Sequence, residues 1–336
     1  MSALRGKIET PALESSALRG NVLGDPSRRE LVVYLPPSYE SAPATRYPLV
    51  MILMPYAATN HSLLSFRMWE RSTFELYETL LASGEAQEAI LVSPDACNRW
   101  GGSQFLDSPA TGLYQTYVAE EVLAYVDARY RTIPRAQARA VVGRSSGGFG
   151  ALRLGFDRFG LFAAFGSHAG DGLFEVSVRP SFTSASIAID REGGVAKLLA
   201  RIEASGPKGS SDFDAMLMIS SAAAYTPDLS LPFPHLALPF DPSTGLPNQE
   251  VWASFLAHDP VERLAREPGA FADAALVYLD AGDRDEHGLH FAARAIAKTL
   301  SSRGVRVRHE EFSGGHRGTA GRYATSLPAL IAALER

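Results

Sequence analysis

Hydrophobic and polar positions alternate in two periods along most of the chain. Glu30-Leu-Val-Val-Tyr-Leu reads as a strand, stopped by Pro36-Pro37 because proline has no N–H for a sheet. Pro48-Leu-Val-Met-Ile-Leu-Met-Pro is one continuous apolar run, the pattern of a strand buried on both faces. Over 63–82 the apolar residues Leu64, Met68, Phe74, Leu76, Leu80 and Leu81 recur at helical spacing and end at Ser83-Gly84. Ala89-Ile-Leu-Val-Ser is a strand, followed by the loop 94–103. A helix is predicted over 117–130, with Val118, Val122, Tyr125 and Val126 on one face. Ala140-Val-Val, a turn and a helix from Phe149 come next, then a buried strand over 161–168.

Residues 171–270 break this rhythm. They are rich in Gly, Ser and Pro, with apolar pieces such as Leu231-Pro-Phe-Pro-His-Leu-Ala-Leu-Pro-Phe. The alternation resumes with the strand Ala275-Leu-Val-Tyr-Leu-Asp, a helix over 289–302, a strand over 305–312 and a closing helix over 325–335. Strands alternating with helices predict an α/β fold, a mostly parallel central sheet covered on both faces. We therefore expect one domain over 1–336 with 171–270 inserted above the carboxyl ends of the strands, where open α/β sheets bind ligands. Its proline-stiffened part, 233–240, would wall a pocket. The alternative is a decorative insertion, or a contact between copies of the chain in a homo-oligomer. The pentapeptide Ser-Ala-Leu-Arg-Gly occurs at 2–6 and 16–20, read as coincidence or paired edge strands.

Composition narrows the class. At 336 residues the chain can bury a large core. Lys+Arg 32 against Asp+Glu 37 gives 32 − 37 = −5, which argues against nucleic acid or an anionic membrane as main partner. Cys97 is the one cysteine, so no internal disulfide and no thiolate metal cluster can form. The first residues carry no apolar signal-like core, and no stretch approaches 18 apolar residues, so a cytoplasmic location is the expectation. No His/Cys/Asp cluster has metal-ligand spacing and no G-x-G-x-x-G follows a strand, so neither metal nor cofactor is expected.

The chemistry centres on Gly143-Arg144-Ser145-Ser146-Gly147-Gly148, a G-x-S-x-G between strand and helix. This is the order of a nucleophile elbow, with Ser145 as nucleophile and the Ser146 N–H at a helix N-terminus facing an oxyanion. Ser146 itself does not fit the motif, because Arg144 stands where glycine would be needed. A serine hydroxyl needs a base, and imidazole titrates in the right range. His316, after Ser313-Gly-Gly at a strand end, is the candidate base, with His287 the second choice. For the acid, Asp283 and Asp285 compete with Glu286 third; Asp285 is preferred, and the others would be turn residues. Asp95 and Trp100, in loops after strands, and His168, at a strand end, are candidate substrate-binding residues.

Val33-Tyr-Leu-Pro-Pro-Ser-Tyr, Tyr47-Pro-Leu-Val-Met-Ile-Leu, the elbow, Gly282-Asp-Arg-Asp-Glu and Gly-Gly-His316 together resemble the putative-esterase family of α/β-hydrolases. That family includes esterase D-like, feruloyl-esterase-like and enterochelin-esterase-like enzymes. The resemblance spans 30–335, with 171–270 poorly matched. It implies a serine esterase acting on a small-molecule ester, with the acid at the Asp closing Gly-x-x-Asp, here Asp285. It also implies a second oxyanion donor in the stretch Leu53-Met54-Pro55-Tyr56. Pro55 has no N–H, so the donor falls to Tyr56 or Ala57. An acyltransferase would use the same three residues. A thioesterase of the esterase D type would carry a cysteine in this loop, where this chain has none. A binding protein on an inactive scaffold is disfavoured by the intact serine, aspartate and histidine.

Overall fold

The structure, a computed structural model, describes residues 4–64 and 70–336. Its strands are β1 (Lys7–Glu9), β2 (Ala12–Glu14), β3 (Arg28–Leu35), β4 (Leu49–Leu53), β5 (Ile90–Pro94), β6 (Asp107–Ser108), β7 (Gly112–Leu113), β8 (Arg139–Arg144), β9 (Ala164–His168), β10 (Leu276–Gly282) and β11 (Val307–Phe312). Its helices are α1 (Thr73–Ser83), α2 (Tyr114–Thr116), α3 (Leu123–Arg129), α4 (Ser146–Asp157), α5 (Phe174–Ser177), α6 (Phe182–Glu192), α7 (Val195–Ser205), α8 (Ser210–Tyr225), α9 (Gln249–Leu256), α10 (Pro260–Arg266), α11 (Leu289–Ser302) and α12 (Tyr323–Ala332).

The main sheet runs β1-β3-β5-β4-β8-β9-β10-β11, with β2 also on β3. From β5 through β11 every pairing along this order is parallel, and β3 joins antiparallel. The mostly parallel α/β sheet is thus present. Along β4 the pleat sends Leu49, Met51 and Leu53 to one face, against Val118, Val122 and Leu152. Val50 and Ile52 face the other way, against Phe74, Tyr77 and Leu330. Helices cover both faces, which is why the strand reads as unbroken apolar sequence.

Three expectations change in detail. The helix predicted over 63–82 is split: Asn60–Leu64 is a 3-10 turn and α1 starts at Thr73. Ser72 is its cap, with Oγ accepting from the Glu75 N–H and the Glu75 carboxylate accepting from the Ser72 N–H. Met68 lies outside the described residues. The helix predicted over 117–130 runs Tyr114–Arg129, with a π-helical segment Tyr117–Val122 between α2 and α3. The two Ser-Ala-Leu-Arg-Gly copies are not paired strands, since the second forms turns and β1 pairs with β3; Ser2 and Ala3 lie outside the described residues.

Segment 171–270 leaves the sheet after β9 and returns at β10, its immediate parallel neighbour. It folds as α5 to α10. Its central helix α8 hid from the 3.6-residue pattern because it is apolar almost all round: Ala215, Met216, Met218, Ile219, Ala222 and Ala223 are all buried. These helices share a core with Trp100 and Phe149 from the sheet side. Among the described residues no helix is long and apolar enough to cross a membrane.

Candidate active site

The turn from β8 into α4 is tight. Ser145 has φ 52° and ψ −125°, a region that costs a non-glycine residue energy and persists only when its surroundings enforce it. Backbone hydrogen bonds and close contacts enforce it. Ser145 N–H donates to the His168 carbonyl at 2.9 Å, and Phe149 N–H donates to the Ser145 carbonyl at 2.9 Å. Gly143 and Gly147 let strand, helix and β4 meet backbone to backbone; a Cβ on Gly147 would strike the Leu53 and Met54 carbonyls.

Beyond β10 and β11 two loops interlock. Gly282 has no room for a Cβ, because the Gly314 and Gly315 carbonyls lie against it. Asp283 N–H donates to the Phe312 carbonyl and Arg284 N–H to the Gly314 carbonyl, both at 2.9 Å. Three acidic residues then divide the work. Asp283 Oδ1 accepts from Gly314 N–H at 3.0 Å, Glu286 Oε2 accepts from His316 N–H at 2.9 Å, and Asp285 Oδ2 lies 2.9 Å from His316 Nδ1. His316 Nε2 in turn lies 3.1 Å from Ser145 Oγ. Ser145, His316 and Asp285 therefore form one hydrogen-bonded run across 171 residues of sequence. Asp285 Oδ1 also accepts from His287 N–H at 2.9 Å.

The electrostatics follow from this wiring. Burial works against a charged His316, but its hydrogen bond to Asp285 and that carboxylate's charge outweigh it, so its pKa stands above the ordinary value. Burial likewise works to raise the Asp285 pKa, and the bond to His316 reverses it to below the usual carboxylate range. His287 packs edge-on to the His316 ring at 4.9 Å and has no part in the run.

Ser145 and His316 open into a cavity of about 320 Å³. Phe174 and Val178, from α5 and just beyond it, and Phe213, Leu217 and Met218, from α8, supply apolar lining. Tyr56 and Ser146 line it too. The Ala57 N–H is taken by the Gly101 carbonyl at 2.8 Å, which leaves Tyr56 as the available donor of the pair.

Asp95, Trp100 and the expected pocket wall lie outside the cavity lining, while His168 lies in it. Asp95 does not line the cavity; it pairs with Arg29 at 3.3 Å and caps its own loop through the Cys97 N–H. Trp100 is also absent from the lining, 1% exposed in the core shared with the 171–270 helices. His168 does reach the cavity wall, but both ring nitrogens are taken, Nδ1 by Asp280 at 2.7 Å and Nε2 by Ser326 at 2.8 Å, so the ring holds the structure behind the elbow. Phe233 and Phe240 are not in the lining either; Phe233 is half exposed against Trp100 and Phe240 packs on Phe182.

Sequence reasoning missed Asp171. It closes the loop after β9, and a carboxylate at a strand's carboxyl end was the signal available. Its Oδ2 accepts from Ser146 Oγ at 2.9 Å. It lines the cavity and is largely withdrawn from solvent. That burial pushes its carboxyl above the ordinary value, against the Ser146 hydroxyl and the charge of His316. Among the described residues no group of three or more His, Cys, Asp or Glu could hold a metal ion.

The family model described as "Putative esterase" matches residues 25–334. "Esterase MT1326" of Mycobacterium tuberculosis (strain CDC 1551 / Oshkosh) is 33% identical over 86 residues, 24% of this chain. The match spans 18% of that relative's length. A solved ferulic acid esterase superposes with TM-score 0.62 at 21% identity, covering 99% of this chain and 98% of its own. An S-formylglutathione hydrolase from Agrobacterium tumefaciens superposes with TM-score 0.60 at 14% identity, covering 100% and 98%. These structures share the α/β-hydrolase fold seen here.

Proposed function

The chain belongs to the putative-esterase family, and from that premise we propose that it hydrolyses carboxylic esters through an acyl-enzyme formed on Ser145. The observation that carries the reading is the hydrogen-bonded run Asp285–His316–Ser145, with links of 2.9 and 3.1 Å, opening into the cavity.

His316 Nε2 takes the Ser145 proton as Oγ attacks the ester carbonyl. Asp285, accepting from Nδ1–H, fixes the tautomer and stabilises the imidazolium that forms. The negative charge that develops on the carbonyl oxygen is met by the N–H of Ser146, at the start of α4, and by the N–H of Tyr56. His316 then gives its proton to the departing alkoxide. Water enters, loses a proton to His316, and attacks the acyl-enzyme; Ser145 leaves with that proton restored. The 171–270 insertion, through α5 and α8, shapes the pocket for one half of the ester.

A fluorophosphonate probe tests this directly. One label on Ser145, located by mass spectrometry, and loss of p-nitrophenyl ester turnover in Ser145→Ala are expected. Full turnover in Ser145→Ala would overturn the reading.

A further inference from the structure

We propose that Arg144 and Arg317 form an anion subsite that takes a carboxylate carried by the ester substrate. The proposal rests on the reading of Ser145 as nucleophile and names a substrate class for the same site.

Arg144 is the residue between Gly143 and Ser145 at the elbow, half buried and in the cavity lining. Among the described residues its Nη1 donates to Thr319 Oγ1, long at 3.3 Å, the guanidinium lies beside the Tyr323 hydroxyl, and its Nε is buried with no partner. Arg317, exposed, lines the same cavity from the loop after β11. Among the described residues neither guanidinium has a carboxylate within ion-pair distance. Many other inward-facing arginines do: Arg29 pairs with Asp95, Arg139 with Asp127, Arg153 and Arg263 with Asp157, Arg201 with Asp212 and Arg322 with Asp280, while Arg131 and Arg303 are satisfied by backbone carbonyls. A half-buried charge without a partner is costly to keep, so an unpaired Arg144 facing a cavity points to a partner that arrives from outside.

The cavity's own carboxylates are engaged elsewhere: Asp171 accepts from Ser146 Oγ and Asp214 from Ser184, and Asp285, behind the lining, serves His316. Arginine stays charged at every working pH, and its planar fork matches a carboxylate with two parallel N–H···O bonds. Arg144 and Ser145 are adjacent, their Cα atoms roughly 3.8 Å apart. A carboxylate held on Arg144 therefore lies only a few bonds from the ester being attacked, as in the half-ester of a short dicarboxylic acid or an ester of a hydroxy acid.

The test compares kcat/KM for two matched pairs. Mono-4-nitrophenyl glutarate against 4-nitrophenyl butyrate places the carboxylate on the acyl side. 4-Acetoxybenzoate against phenyl acetate places it on the alcohol side. We expect wild type to favour the anionic member of one pair, which identifies the half of the ester concerned. Arg144→Gln and Arg317→Gln should each lower that anionic-to-neutral ratio, Arg144→Gln by roughly ten- to a hundredfold, the range for a charged hydrogen bond. A ratio that moves in neither variant overturns the subsite. If Arg144→Gln fails to fold, the exposed Arg317→Gln decides. If wild type turns over no ester at all, the hydrolase reading fails instead, and calorimetry with glutarate judges the subsite alone. Binding that weakens in Arg317→Gln supports it, and no binding to wild type overturns it.

Discussion

Asp283 and Asp285 are two residues apart and chemically identical, yet the structure gives them different tasks. Asp283 holds the Gly314 N–H, while Asp285 reaches the His316 ring. Asn at 283 still offers an oxygen to Gly314, so Asp283→Asn should keep kcat within about threefold of wild type. Asp285→Asn should lose about a thousandfold or more, because the imidazolium loses its counter-charge and the tautomer its anchor. The pH profile carries a second signature. The base works only when neutral, and Asp285 holds the His316 pKa above its ordinary value. Activity should therefore fall with acid along a limb centred above the unperturbed histidine pKa of about 6.5. In Asp285→Asn the two largest raising causes are gone and only the charges of Asp171 and Glu286 still oppose desolvation, so the residual activity should extend to lower pH. A wild-type limb well below pH 6 in kcat/KM would contradict this assignment.

At the level of elements, the elbow depends on three backbones in contact, and backbones cannot move aside as side chains do. Gly147→Ala should lower Tm by several degrees and remove activity, whereas Gly269→Ala, with nothing within 4 Å of the added methyl, should do neither. Equal behaviour of the two variants in thermal melts would refute the packing argument. The same level explains what could be read in the chain. β4, β8 and β10 were legible because burial on both faces leaves unbroken apolar runs bounded by Pro, Gly or polar loops. The positions of Ser145 and Asp285 were legible because each follows such a run; that of His316 was legible from the Gly-Gly before it, after the charged strand β11. α8 was not, because its apolar girth erases the helical period. Nor was the contrast between Trp100 in the core and Tyr56 at the cavity, which depends on where two loops land in three dimensions. α8 also carries a prediction. Leu217→Ala should shift preference toward longer acyl or bulkier alcohol groups in a p-nitrophenyl and benzoyl ester series, while Phe240→Ala should cost stability and leave the preference alone; the reverse pattern would move the pocket wall.

Across the whole molecule, the 171–270 helices are fastened to the sheet side by buried polar contacts as well as by apolar packing. Arg153 Nη1, on α4, donates to His258 Nδ1 at 2.9 Å, and Tyr225, which lines the cavity, stacks on the His258 ring. Burial, then the charge of Arg153, pushes the His258 pKa down to about 4. Its folded pKa is below the unfolded value of about 6.5, so the unfolded chain binds the extra proton between these values. Stability from this group is full above about pH 6.5 and is lost as pH falls toward 4, by on the order of 3 kcal/mol. His258→Gln should show a smaller drop in Tm between pH 7 and pH 4.5 than wild type; an equal drop would rule His258 out. At the other end of the sheet, β11 is an edge, and the loop bearing His316 hangs from it. An open edge invites a strand from another copy of the chain, the start of aggregation. Val307-Arg-His-Glu-Glu-Phe answers with charge: Arg308 and Glu310 pair side by side, Glu310 also meets Arg322, and Glu311 meets Arg294. The residues that make this strand look poorly apolar in sequence are thus its guard against self-recruitment, and any foreign strand docking there would pull first on the loop that carries His316.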